Sequence, residues 1–130
     1  MIDQITIRLR PGQDLKQEIE NIVKQKDIKA GVIASAVGSL TRAVLRIADG
    51  VNTKRWDKPF EIVSATGTIS VNGCHIHISI ADQEGIVLGG HLKQGCIINT
   101  TAEIVILVFT DSEFKRIPDE STGYDELSVV

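Results

Sequence analysis

Residues 72–92 read NGCHIHISIADQEGIVLGGHL, and they hold all three histidines of the 130-residue chain. The first half, from Cys74 to Ala81, is rich in isoleucine and bounded by Asn72-Gly73 and the polar run Asp82–Gly85, which marks a strand followed by a turn. Side chains alternate across a strand, so His75 and His77 share one side of the sheet while Cys74, Ile76, Ile78 and Ile80 share the other. The second half, Ile86–Leu92, returns as another strand and ends with His91. A hairpin of this kind commits the fold to antiparallel β-structure.

Loop length decides where His91 falls. A three-residue loop at 83–85, with Gly85 in the left-handed conformation that glycine adopts cheaply, closes Asp82 against Ile86 and sets His91 directly opposite His77. A two-residue loop would place His91 opposite Ile76, and a four-residue loop opposite Ile78, on the wrong face in either case. With the odd loop, two imidazoles about 7 Å apart at Cα on one strand meet a third across the ladder. Three histidines with an open fourth position suit a divalent metal, zinc foremost, bound at about 2.0–2.1 Å per nitrogen. The competing reading is that the rings line a polar face without an ion.

Working outward, Ile2–Leu9 alternates apolar and polar with Ile5, Ile7 and Leu9 on one face, a half-buried strand ended by Pro11-Gly12. Asp14 is placed to cap a helix carrying Leu15, Ile19, Ile22 and Val23 in one stripe. Strands are then predicted at Gly31–Val37, Leu40–Ala48, Phe60–Val71, Cys74–Ala81, Ile86–Leu92 and Ile97–Phe109. Asn52–Pro59 reads as a polar loop, and Glu113–Val130 as a closing segment with Pro118 and an apolar end. One helix among many strands predicts an α+β fold: a mostly antiparallel, curled sheet with the amphipathic helix packed on it. Several strands are apolar on both faces, as in EIVILVF at 103–109, and a sheet that one helix half-covers leaves apolar surface for an oligomer.

The chain's size suits a single domain spanning 1–130. A net charge of −3 and only one Trp, one Tyr and three Phe disfavour direct nucleic-acid binding, which relies on basic faces and stacking aromatics. Cys74 and Cys96 form neither a CxxC pair nor a disulfide framework. No secretory signal precedes the first strand, and the longest apolar run, 104–109, is too short for a membrane span. A cytoplasmic location is expected.

Other residues carry weaker signals. Asp82 at the turn is either a cap for backbone amides or a partner orienting a histidine, the cap being favoured. Glu103, the one charge heading an apolar strand, is a candidate general base or fourth ligand, against a plain edge position. Cys96, a few residues past His91, either joins a metal shell or is a small buried residue, the latter being favoured. Arg42 and Arg46, four apart on one strand, either bind an anion or face solvent. No phosphate loop, nucleophile elbow or HExxH motif is present.

The stretches GSLTRAVLRIAD, KPFEIVSATGTIS, GCHIHISIADQEGIVLGGHLKQGCIINTTAEIVIL and FKRIPDESTGYDEL together resemble the plants-and-prokaryotes conserved (PPC or PCC) domain, most specifically in the HxHxSxAD, GGHL and TAE succession. The resemblance implies an α+β homotrimer with sheets packed between subunits. It also implies, as in the stand-alone prokaryotic type, a metal site at His75, His77 and His91. Plant members carry an AT-hook, Arg-Gly-Arg-Pro, that is absent here, and FEIVSATG is similar to their partner-contact motif. Two functions follow as expectations. One is a homotrimeric divalent-metal protein that acts, if it is an enzyme, on a small-molecule ligand through a metal-activated water, with Glu103 or Asp82 carrying protons. The other is a DNA-associated or regulatory assembly module acting through its trimer and partners.

Overall fold

The computed structural model describes residues 1–130. The order is β1 (Ile2–Leu9), α1 (Leu15–Gln25), β2 (Ala30–Arg46), β3 (Thr53–Trp56), β4 (Phe60–Ser70), β5 (Gly73–Ala81), β6 (Val87–Leu92), β7 (Ile97–Phe109), β8 (Phe114–Asp119) and β9 (Tyr124–Val129). Seven strands form one antiparallel sheet, and β8 and β9 form a separate hairpin.

The predicted helix is present. Asp14 adopts an extended backbone and its carboxylate accepts from the Gln17 amide at 3.0 Å, relieving one of the first-turn donors. The same carboxylate accepts from the Gly95 amide at 2.6 Å, which pins the helix start to the turn before β7. Leu15 and Ile19 are buried, and Ile22 and Val23 pack on the core beside them, as the apolar stripe requires.

Strand β2 organises the sheet. The sequence breaks it at Gly38-Ser39 into two predicted strands; the structure has one strand of 17 residues. Register shifts between Ile33 and Ser35, Gly38 and Leu40, and Leu40 and Arg42 absorb the irregularity, because a bulge bends and twists a strand without ending it. Along one flank of β2 run β4 and then β3, and along the other β7 and then β6. Strand β4 pairs with β5, β5 with β6, and β6 returns to β2 through Leu45–Leu92 and Arg46–His91. The circuit β2–β4–β5–β6 therefore closes on itself, and this is the curl that the alternating strands predict. Ile33, Leu45, Ile62, Ile76, Ile78, Ile80, Leu92, Ile104 and Ile106 are buried in the core.

Two further segments differ from the sequence reading. The polar stretch 52–59 contains β3, which pairs with Ala43–Arg46; its polarity reflects exposure along a sheet margin rather than lack of structure. The closing segment forms the β8–β9 hairpin, fastened by Val71 N–H to Phe114 O and Phe114 N–H to Lys29 O, both 2.9 Å. No helix is long and apolar enough to cross a membrane. Both cysteines are free, with Cys96 buried; its thiol faces the Val44 backbone, accepting from the amide and donating to the carbonyl.

Candidate metal centre

The hairpin turn has the odd length that convergence needs. The Asp82 amide donates to Ile86 O at 3.0 Å and the Gly85 amide to Asp82 O at 2.9 Å, with Gly85 at φ +80°. From there the ladder runs Ala81–Val87, Ile80–Leu88, Ile78–Gly90 and His77–His91. On β5 the isoleucines at 76, 78 and 80 point into the core, and His75 and His77 point out. Gly90 is required for a second reason: a Cβ there would lie 2.6 Å from Arg46 O, so any side chain would push β6 away from β2.

The three rings meet. His75 Nε2 and His77 Nε2 are 3.1 Å apart. The His91 centroid lies 5.0 Å from that of His75 and 5.5 Å from that of His77. One nitrogen from each ring falls within 4.8 Å of the others. Two nitrogens bound tetrahedrally to zinc at about 2.0–2.1 Å stand about 3.3 Å apart, so the His75–His77 spacing already matches one edge of such a site.

Electrostatics favours the neutral, ligating form of His75 and His91. Burial first, then Arg116 and His77, hold His75 below the usual imidazole range. Burial, followed by Arg46 and His75, lowers His91 to about 4. A neutral imidazole keeps a lone pair for an ion. Arg46 lies against this centre, its Nη2 3.4 Å from His91 Nδ1.

The remaining candidates lie elsewhere. Asp82 caps its own turn, accepting from the amides of Glu84 at 2.9 Å and Ile86 at 3.0 Å, and from Lys58 Nζ at 3.2 Å. Glu103 is exposed on β7 between Arg8 of β1 and Val37 of β2, in a cleft that shares no residue with the histidines. Of the two arginines, Arg42 is taken by Asp57 at 2.9 Å, while Arg46 faces the histidines.

A cavity of about 390 Å³ opens over the three rings, walled by Arg46, Cys74, Arg116, Tyr124, Asp125 and Glu126 as well. The four wall residues from 116 onward come from the β8–β9 hairpin, which sequence reasoning did not connect to the site. All four fall in the FKRIPDESTGYDEL stretch that resembles the family, but nothing local says which part of the fold that stretch approaches.

The Plants and Prokaryotes Conserved (PCC) domain pattern matches residues 2–110, and the chain belongs to that family. A curated relative, the bifunctional protein GlmU of Synechococcus, is 46% identical over 123 residues, which cover 95% of this chain but only 20% of that protein; the chain spans about a fifth of the relative's length. A hypothetical protein from Salmonella enterica has a structure that superimposes with a TM-score of 0.97 at 36% identity, over 100% of this chain and 94% of that one. A metal-containing protein from Archaeoglobus fulgidus matches with a TM-score of 0.84 at 30% identity, over 97% of this chain and 93% of the other.

Proposed function

We propose that this PCC-domain protein binds one divalent metal ion, zinc by preference, through His75, His77 and His91, and that it works as a homotrimer. The observation that carries the reading is the 3.1 Å approach of the His75 and His77 Nε2 atoms with the His91 ring beside them. An all-imidazole set suits zinc and other late transition metals rather than magnesium or calcium, which take oxygen. The Archaeoglobus relative, described as metal-containing, supports it.

Three protein ligands leave a position for water, and an ion held this way supplies an acidified water or a polarising Lewis acid. The chain's own contribution is to hold His75 and His91 below the usual imidazole range and to shape the cavity above the rings. Trimer formation is supported by apolar side chains on the sheet's outer face, among them Val37 and Val63, each more than half exposed. A cytoplasmic location is part of the same reading.

The test is element-specific metal analysis of untagged protein purified without chelator, together with native mass. One ion per subunit and a mass of three chains are expected. Protein that is metal-free, and takes up neither zinc, nickel nor cobalt, overturns the metal site; a monomeric mass overturns the trimer.

A further inference from the structure

We propose that the cavity above the histidines is a binding site for a small carboxylate, held by Arg46 and Arg116 over the ion; the inference rests on the metal reading for its orientation. Neither arginine belongs to any of the chain's ion pairs, which use Lys16, Arg42, Arg55, Lys58 and the N-terminus. Both nevertheless line the histidine cavity. An unpaired guanidinium beside a dication is electrostatically unfavourable, and an anion between them relieves both.

The arginines are also positioned rather than loose. Arg116 Nη2 donates to Thr68 Oγ1 at 2.6 Å. The Arg116 backbone exchanges two hydrogen bonds with the Asn72 side chain, at 2.7 and 2.9 Å. Thr68 is the β4 residue paired with His75, so Arg116 is tied to the strand beside the metal ligands. Arg46 is the register partner of His91 and its guanidinium lies 5.8 Å from the Tyr124 ring centroid. Each guanidinium keeps further N–H donors for a ligand, and the planar fork matches a carboxylate.

Carboxylate is favoured over phosphate by the charge of the lining. Asp125 and Glu126 line the same cavity, so two acids share it with the two arginines. A monoanionic ligand fits that balance better than a phosphate dianion. The acids in turn can accept hydrogen bonds from hydroxyl or amine groups of the ligand. A volume of about 390 Å³ lies at the low end of small-molecule pockets.

The experiment is equilibrium dialysis of radiolabelled lactate against zinc-loaded and chelator-treated protein, with metal content measured in each sample. Saturable binding of lactate to the zinc form is expected, with lactamide failing to compete. Arg46→Gln and Arg116→Gln should each weaken it about 10- to 100-fold, the worth of a hydrogen bond to a charged group, at unchanged zinc content. Absence of lactate binding to fully loaded protein, or undiminished binding by both variants, overturns the inference and leaves the metal site standing. Phosphate binding more tightly than lactate overturns the choice of carboxylate. If no zinc is retained, the metal reading fails by itself, and arginine-dependent lactate binding by the chelator-treated protein still supports the anion site, while its absence overturns it.

Discussion

Arg46 and His91 are joined twice: they are register partners across β2 and β6, and Arg46 Nη2 lies 3.4 Å from His91 Nδ1. The backbone pairing that closes the curled sheet is thus the same one that sets a fixed positive charge against a candidate metal ligand. Closure of the sheet and assembly of the site are one event.

His77 is the pivot of the triad, opposite His91 across the ladder and 3.1 Å from His75 between ring nitrogens. His77→Ala is expected to lower zinc affinity by on the order of 100-fold or more, above the 10–100-fold typical of changes to groups that only support a ligand. His77 is exposed, so the far-ultraviolet circular dichroism spectrum should not change. Undiminished zinc retention on metal analysis would contradict the ligand assignment.

Asp82 separates a turn-capping role from a chemical one. Its carboxylate accepts from two backbone amides of the turn, which hold it below the usual carboxylate range. Asp82→Ala should lower Tm by about 3–6 °C while zinc affinity stays within twofold. A large loss of metal affinity at unchanged Tm would reverse the assignment.

Gly90 tests the closing seam. Alanine there puts Cβ 2.6 Å from Arg46 O and 3.2 Å from Leu45 Cβ. Such overpacking costs about 1–3 kcal/mol, readable in urea melts. Because the strain falls next to His91, Gly90→Ala should also weaken zinc binding, whereas Gly85→Ala at the far turn should strain only the loop. Equal zinc affinity in the two variants would show that the seam does not hold the site.

The thiols give a pH signature. Burial pushes both Cys74 and Cys96 up to about 11, and only the thiolate reacts. Each pH unit below that value costs about tenfold in thiolate, so iodoacetamide labelling of Cys74 should rise about 100-fold from pH 8 to pH 10. Cys96, fully buried, should stay unlabelled until the chain unfolds. Rapid labelling of Cys74 at pH 7 would show its surroundings to be more open.

Much of this was legible in sequence because local chemistry carried it. Asp82 and Gly85 specify a turn length, the turn specifies register, and register places three histidines; Asp14 and its apolar stripe specify the helix. Other parts depend on distant partners. Gly38-Ser39 reads as a break, yet the bulges of β2 carry the strand through because β4 and β7 pair on both sides. Residues 53–56 look like loop because they pair on one side and face solvent. Arg46 was legible as an anion binder or a solvated residue, and only the β2–β6 pairing chooses its neighbour. Arg116 meets Thr68 across 48 positions of chain, a proximity that no local pattern encodes.

The β8–β9 hairpin begins at Phe114, beyond the point at which the family pattern stops, at residue 110. The three imidazoles sit on β5 and β6, whereas much of the wall above them is written in the chain's tail. Cavity wall and histidine cluster thus belong to separate segments: grafting the last twenty residues from one relative onto another should change which small molecules the cavity admits while leaving zinc uptake by the three rings unaltered.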